Sequence, residues 1–530
     1  MATPASSLHI HPVQAISNVR CEFMPHRQGN EPIPTLYMRG CRGERVNTAF
    51  YISGCSAAEK LMVEVVGAEW SEVSDPRWIK WWWQSGRVSF ESDRPQYVPE
   101  LLLHDGSLVQ SNPYEVGNVY PEAPQDARSL KPLDCDDTAG STYNIPGFEQ
   151  GVILTVTIPA FRDAGDYDFN LRVSAKGVNL VVVPIRLTVY PFDLPKPNVD
   201  YSMYYRARFS KDPEVDSQNV DPEFRTEEQM LAELKNMVAH GCVNPMTYLG
   251  DGSLSRVIEL RQEAGCNNSH LFSSVAVGHI ALKDDFDRKR LPQVKLDYAN
   301  LARKILAQCD GFGVKVVYGY GKDEAKLEGI HMQDPLWDAF SSVDGAEMSI
   351  ATSSMSEKDL LFCKDYLPAV IARAGTWPTQ KTTETLNALG IRTYVYGHPG
   401  PSESPEDFRR TMGILLHNRP WIAGSMEYAL MHVWPGNEHP WDDFGTTAHY
   451  RSLMMVYPTI DGVVDTLQWE GYSEGVNDGR YLRLLKSLNS DREDVKQFLQ
   501  RVLHEEGTID MDEMRYRCAE LIIAEQEARK

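Results

Sequence analysis

Apolar and polar residues alternate along short runs in the first part of the chain, and a period of two predicts strands. Between Asp166 and Ser174, Tyr167, Phe169, Leu171 and Val173 fall on alternate positions and can share one buried face. Ile185, Leu187 and Val189 repeat the pattern. Gly151-Val-Ile-Leu-Thr-Val-Thr-Ile-Pro159 is a β-branched run bounded by Gly and Pro, as strands in a sandwich are. The turn Asp163-Ala-Gly-Asp166 before Tyr167 resembles the entry to a late strand of immunoglobulin-like sandwiches. Residues 1–195 are therefore expected to form a β-sandwich domain. It ends at Tyr190-Pro-Phe-Asp-Leu-Pro-Lys-Pro197, whose three prolines remove backbone donors and stiffen a connector.

Beyond this point strand and helix patterns alternate, the signature of parallel sheet units. Eight candidate strands span Tyr201 to Tyr205, Val243 to Leu249, His270 to Val277, Val314 to Tyr320, Glu347 to Thr352, Ala369 to Arg373, Arg392 to Tyr396 and Ile422 to Leu430. Between the first two, Thr226 and Gln229 form a capping box ahead of an apolar stripe of Met230, Leu231, Leu234, Met237 and Val238. Eight such units predict a (β/α)8 TIM barrel over residues 196–486. An open dinucleotide-binding sheet is disfavoured because no glycine-rich phosphate fingerprint follows the first strand. In residues 487–530, Val495, Phe498, Leu499, Val502 and Leu503 recur at helical spacing and predict a C-terminal helical extension packed on the barrel. The fold class is thus multidomain, β followed by α/β.

Composition narrows the partners. A formal net charge of -21 argues against a nucleic-acid or anionic-membrane surface as partner, since either would repel such a chain. No apolar run is long enough to span a bilayer. The start MATPASSLHIHPVQ lacks a secretory signal, so the chain is expected to be cytoplasmic, or exported after removal of one. Nine scattered cysteines without a C-x-x-C pair suggest reduced, buried thiols.

The chemistry is concentrated in Val316-Val-Tyr-Gly-Tyr-Gly-Lys-Asp-Glu-Ala325, where the fourth barrel strand runs through glycines into two consecutive carboxylic acids. The C-terminal ends of barrel strands build the active sites of this fold. Neighbouring strand residues point to opposite faces, so the strand must end or bulge for Asp323 and Glu324 to share a pocket. Two close carboxyls resist double ionisation, and the protonated one can act as a general acid. Glycoside hydrolysis needs such a group, because the leaving oxygen is protonated as the anomeric carbon becomes cationic.

An Asp-Glu pair ending strand four, in a barrel behind a β-sandwich, resembles the hexosaminidases that use substrate assistance, and is most similar to glycoside hydrolase family 123. Val456-Tyr-Pro458, Asp461-Gly462 and Trp469-Glu-Gly-Tyr-Ser-Glu-Gly-Val-Asn-Asp-Gly-Arg-Tyr-Leu482 resemble the closing motif of that group. Trp81-Trp-Trp-Gln84 and Val98-Pro-Glu-Leu-Leu-Leu103 resemble sandwich domains attached to such barrels. Family 20 enzymes carry a histidine and paired glycines before Asp-Glu, where this chain has Tyr320-Gly-Lys322. The resemblance implies an exo-acting, retaining β-N-acetylhexosaminidase with a preference for terminal N-acetylgalactosamine, acting on a glycan or glycoconjugate. It implies that Glu324 protonates the glycosidic oxygen and later activates water, and that Asp323 accepts the acetamido N–H. The acetamido carbonyl then attacks the anomeric carbon, passing through an oxazoline-type intermediate. Tyr396 is the candidate to hold that carbonyl, with His398 nearby.

Further substrate-binding candidates are Trp434 and Trp441, flanked by prolines in the loop after strand eight, with Trp469 a third aromatic platform. Arg206, Asn244 and Tyr248, near the ends of strands one and two, are candidates for sugar hydroxyls. The Trp78-Ile-Lys-Trp-Trp-Trp83 cluster reads as a buried aromatic wall in preference to a carbohydrate-binding face. His432, Glu438 and His439 lack ligand spacing such as H-E-x-x-H, so no metal is expected. The absence of a P-loop and of G-x-S-x-G leaves no sign of a cofactor and weakens kinase and esterase readings. Two alternatives stay open: a glycosidase for a non-acetamido sugar pairing Glu324 with the distant Glu427, and a non-catalytic carbohydrate-binding barrel.

Overall fold

The structure is a computed structural model, described here for residues 9–18, 32–53, 60–84, 95–104, 109–112, 114–119, 142–143, 150–175, 181–209, 224–248, 253–276, 288–324, 326–353, 355–374, 377–397, 404–432, 441, 453–459 and 462–530. Two five-stranded sheets occupy the first part. One runs in the order His9–Val13, Arg45–Ser53, Gln150–Thr157, Ser74–Gln84, Gln96–Leu103. The other runs Leu36–Gly40, Val181–Val189, Gly165–Ala175, Lys60–Val66, Thr142–Tyr143. Phe50, Trp78, Val152 and Leu154 of the first share one apolar core with Met38, Leu61, Leu171 and Ile185 of the second.

The second sheet keeps the alternation seen in the sequence: Val181, Val183, Ile185, Leu187 and Val189 are buried, while Val182 is exposed. The first sheet is covered on both faces, which explains why Val152, Ile153 and Leu154 are consecutively apolar. Its second face meets Leu467 through Ile79, Leu102 and Ile153. A register shift between Lys80 and Trp81 lies within the tryptophan cluster. Trp78 belongs to the core between the sheets, whereas Trp82 packs against Tyr457 and Trp441 on the barrel side. The Trp82 indole donates to Glu100 at 2.8 Å, so this residue is part of a wall.

The parallel sheet that follows curls through Asp200–Met203, Gly424–Glu427, Arg392–Tyr396, Val370–Ala374, Ala346–Thr352, Val316–Tyr320 and His270–Ala276. The predicted strand from Val243 to Leu249 is not a regular one; it makes a single bridge, Thr247 to Ser273. Pro245 sits in its middle and supplies no N–H, which breaks a ladder. The segment still joins both edges of the sheet: Met246 N–H donates to Met203 O at 2.7 Å and Thr247 N–H to Phe272 O at 2.8 Å. The first helix, Glu227–Ala239, starts at the expected capping box, with both reciprocal bonds between Thr226 and Gln229 formed.

The stretch from Trp469 to Leu482 lies in a helix, Leu467–Ser487, most of whose residues are buried. Its acids and glycines recur every four residues, so each set forms a stripe. A Cβ on Gly471 would lie 2.1 Å from Pro405 O, and one on Gly475 would lie 2.4 Å from Arg409 O. The glycines therefore allow two backbones to touch. The acids pair with guanidinium groups: Glu470 with the half-buried Arg45 and the buried Arg77, Glu474 with the buried Arg515, and Asp478 with the buried Arg409 and Arg515. His240, Asp465 and Glu470 bring ligand atoms within 4.8 Å of one another, but Arg77 and Arg45 already supply the positive charge there.

Helices Glu493–His504 and Met511–Ala528 pack against this helix, and Val495, Phe498 and Val502 are buried as their spacing predicts. Leu503 is exposed. Tyr190, Phe192 and Leu194 of the proline-rich connector join the same core. Among the described residues no helix is long and apolar enough to cross a membrane. Cys41, Cys242, Cys266, Cys309, Cys363 and Cys518 are free thiols, and all but Cys266 are buried.

Glu44 is fully buried beside this core. Its carboxylate accepts from Cys41 N–H at 2.7 Å and Tyr481 O–H at 2.8 Å. Burial pushes its pKa from 4.5 up to about 7, against the opposing pull of Arg515 and these two donors. Above pH 4.5 the unfolded chain releases this proton while the folded chain holds it until about pH 7, so stability falls as pH rises through that window. Glu44→Gln removes the titration. Relative to wild type, the variant should gain up to about 3 kcal/mol between pH 4.5 and pH 8, read from urea midpoints. An offset that does not change with pH would exclude this account.

Candidate active site

Alternation along the barrel strands sends Asp200, Tyr204, Tyr318, Tyr320, Tyr394 and Tyr396 inward, and the intervening residues outward into the helical layer. The N-terminal end of the barrel is closed by a polar network. Asp200 accepts from Tyr394 O–H at 2.7 Å and contacts His270 Nε2 at 2.8 Å; Arg392 donates to Tyr318 O–H at 2.7 Å. Burial alone would raise the Asp200 pKa, but His270, Tyr394 and Arg392 hold it below the ordinary value. Phe272, stacked on Tyr318 at 5.0 Å, fills the layer above.

The C-terminal mouth is built from tyrosines. The buried Tyr204 ring has Tyr428 at 5.2 Å, Tyr320 at 6.1 Å, and Tyr248 and Tyr396 each at 6.4 Å. The Arg206 guanidinium lies 5.1 Å above the Tyr248 ring and donates to Tyr428 O–H at 3.0 Å. Tyr248 and Arg206 thus lie at this end of the barrel, beside Tyr204 and Tyr428.

Asp323 and Glu324 sit at the rim. The strand ends at Tyr320, and both acids lie exposed in the turn that follows. Glu324 has φ 45°, a left-handed conformation that costs a residue with a Cβ roughly 1–2 kcal/mol. This departure from extended backbone removes the opposite-face rule of a regular strand. Burial, and after it the charges of Glu324 and Asp323, raise the pKa of the Tyr396 phenol, whose ring stands 6.4 Å from that of Tyr204. Asp323 Oδ1 accepts a hydrogen bond from Tyr320 O–H at 2.6 Å. The Tyr320 oxygen in turn accepts from Tyr204 O–H at 3.3 Å. Burial and the nearby Tyr204 and Asp323 push the Tyr320 pKa far up, so this phenol stays a donor.

Four expected site residues lie elsewhere. Asn244 is fully buried at the opposite end, where its amide meets His270 Nε2 at 2.5 Å and lies 3.4 Å from Asp200. It sits at the start of its segment, not the end, and braces the barrel floor. Trp441 is 2% exposed; its indole donates to Pro458 O at 2.9 Å and packs on Tyr457. Trp469 is buried in the helix, stacked on His240 at 4.9 Å and donating to Asn236 at 2.7 Å. Neither ring can offer a face to a sugar. Glu427 is buried on the outer side of its strand with Ser425, near the Tyr472 phenol, so it cannot serve as a second carboxylate in the mouth. His398 and Trp434 lie outside the described residues, as do Glu438 and His439. Sequence reading missed Tyr204, Tyr320 and Tyr428, although each stands at the end of a predicted strand in phase with its inward positions.

No family model matches the sequence, and no curated protein matches it. Among solved structures, a family 123 glycoside hydrolase from Clostridium perfringens, described for its hydrolysis of glycolipid glycans, superposes with a TM-score of 0.64 at 10% identity. The match covers 98% of each chain. A family 39 glycoside hydrolase from Bacteroides cellulosilyticus WH2 gives a TM-score of 0.34 at 8% identity over 84% of this chain and 82% of that one. Over almost its whole length, this protein has the fold of a family 123 glycoside hydrolase.

Proposed function

We propose that the protein is an exo-acting retaining glycoside hydrolase that releases terminal β-linked N-acetylgalactosamine by substrate-assisted catalysis. In the same reading, residues 1–195 are a β-sandwich, 196–486 a (β/α)8 barrel and 487–530 a helical extension. The observation that supports it is the pair Asp323 and Glu324, exposed in the turn that ends their strand, with Asp323 held by the Tyr320 phenol of the tyrosine-lined mouth. The likeness to the clostridial enzyme supports glycosidase chemistry.

The roles follow from the groups. Glu324 gives its proton to the glycosidic oxygen as the acetamido carbonyl oxygen bonds to the anomeric carbon and the aglycone leaves. Asp323 accepts the acetamido N–H, which becomes more acidic as the five-membered ring forms. Tyr396, kept protonated by burial and by both carboxylates, donates to the attacking carbonyl oxygen. Water then attacks the anomeric carbon, Glu324 takes its proton, and the amide is restored with retained configuration. The tyrosines of the mouth supply flat faces for the sugar.

A panel of aryl β-glycosides with and without the 2-acetamido group tests this. Turnover should be confined to 2-acetamido substrates, fastest with the galacto configuration, and a thiazoline analogue of the intermediate should inhibit it. Equal turnover of 2-hydroxy glycosides with no inhibition by the thiazoline rules the mechanism out.

A further inference from the structure

The two ends of the barrel use tyrosine differently. At the floor, Tyr394 donates to Asp200 and Tyr318 accepts from Arg392, so both phenols are spent on the network itself. At the mouth, the chain of phenols from Tyr204 through Tyr320 ends on an exposed carboxylate. Among the described residues, Asp323 has this one hydrogen-bond donor, and it engages only Oδ1. Oδ2 is left for another group.

Geometry makes this directional. Tyr320 is the last residue of its strand and Asp323 follows three residues later, so the bond spans the turn that carries both acids. The Tyr320 ring is packed edge-on against Tyr204 at 6.1 Å, and both are buried. A buried ring cannot follow a wandering carboxylate, so the bond fixes the rotation of the Asp323 side chain. The bond from Tyr204 strengthens Tyr320 as a donor, because successive hydrogen bonds polarise one another.

We propose that Tyr320 is a positioning residue for Asp323, itself set by Tyr204, and that the pair aims the second carboxylate oxygen at the substrate's acetamido N–H. This rests on the assignment of Asp323 to the amide made above. The amide nitrogen gains positive charge as the ring closes, so the aimed oxygen contributes more in the transition state than in the ground state. The relay therefore acts on kcat.

Steady-state kinetics on an aryl 2-acetamido-2-deoxy-β-galactoside tests the proposal. Tyr320→Phe should lower kcat about tenfold or more, the worth of a hydrogen bond to a charged group, with KM changing less than about twofold. Affinity for the thiazoline should fall in parallel with kcat. Tyr204→Phe, which keeps the terminal donor, should lower kcat by about two- to threefold, and supplies the test should Tyr320→Phe fail to fold. In an Asp323→Asn background, Tyr320→Phe should have no further effect, since it acts through that carboxylate. A general packing defect would multiply with Asp323→Asn instead.

Wild-type kcat in Tyr320→Phe, or additive losses in the double variant, overturns the relay while a crippled Asp323→Asn leaves the hydrolase mechanism standing. Wild-type activity in Asp323→Asn removes both.

Discussion

Glu324→Gln is expected to lower kcat about 10²- to 10⁴-fold on substrates with poor leaving groups, the range a general acid contributes. The loss should shrink on dinitrophenyl glycosides, whose leaving group departs without a proton, because deglycosylation alone then feels the missing base. Asp323→Asn should lose activity for a different reason: an amide in place of the carboxylate neither balances the charge growing on the substrate nitrogen nor keeps its orientation. Both acids are exposed in a turn, so neither change should shift the thermal midpoint. The leaving-group dependence separates the two roles, since only the Glu324 variant should show it. Wild-type rates in both variants would end the assignment.

What the sequence could show of this site was its acids. Consecutive Asp and Glu after a run of glycines required a broken strand, and the turn after Tyr320 with Glu324 in a left-handed conformation is that break. Tryptophan type alone does not tell a sugar platform from a packed indole. Trp441 and Trp469 are buried where their N–H groups find partners on Pro458 and Asn236. The mouth is instead lined by tyrosines whose signal was phase: Tyr204, Tyr320 and Tyr396 fall on inward positions at strand ends. Asn244 begins its segment, so it meets His270 and Asp200 at the floor and not the mouth. The stretch after Trp469 was set among functional motifs by resemblance, yet its own periodicity is structural. Acids at 470, 474 and 478 and glycines at 471, 475 and 479 recur every four residues, which a helix turns into one charged stripe and one bare one. Nothing local tells such a stripe that its partners will be Arg45, Arg77, Arg409 and Arg515, brought from both ends of the chain.

That stripe carries the largest stability effect we expect. Glu470 is fully buried, and its Oε1 accepts from Arg45 and from Arg77, each at 2.7 Å, while His240 Nε2 lies 3.4 Å away. Burial would raise its pKa, but Arg45, Arg77 and His240 together hold it well below the ordinary carboxylate range. Arg77 is equally buried and also meets Asp465 at 2.7 Å and Asp75 at 3.1 Å. Glu470→Ala leaves Arg45 without its carboxylate and Arg77 with two of three. Breaking a buried pair from one side costs about 3–5 kcal/mol, because the charge left behind is largely shielded from water. Asp465 and Asp75 still serve Arg77, which points to the lower end of that range. The effect must also be cooperative across the molecule, since the arginines stand on two strands of the first sheet, Arg45–Ser53 and Ser74–Gln84, and the acid on the helix Leu467–Ser487. Urea unfolding followed by tryptophan fluorescence and far-ultraviolet dichroism should show both signals moving together to a lower midpoint. Glu64→Ala, which removes the solvent-facing partner of Arg172 on the other sheet, should leave the midpoint where it was. If Glu470→Ala behaves like that control, the buried charges are not what joins the first sheet to the barrel, and the apolar contacts of Trp82 and Leu467 would have to do so alone.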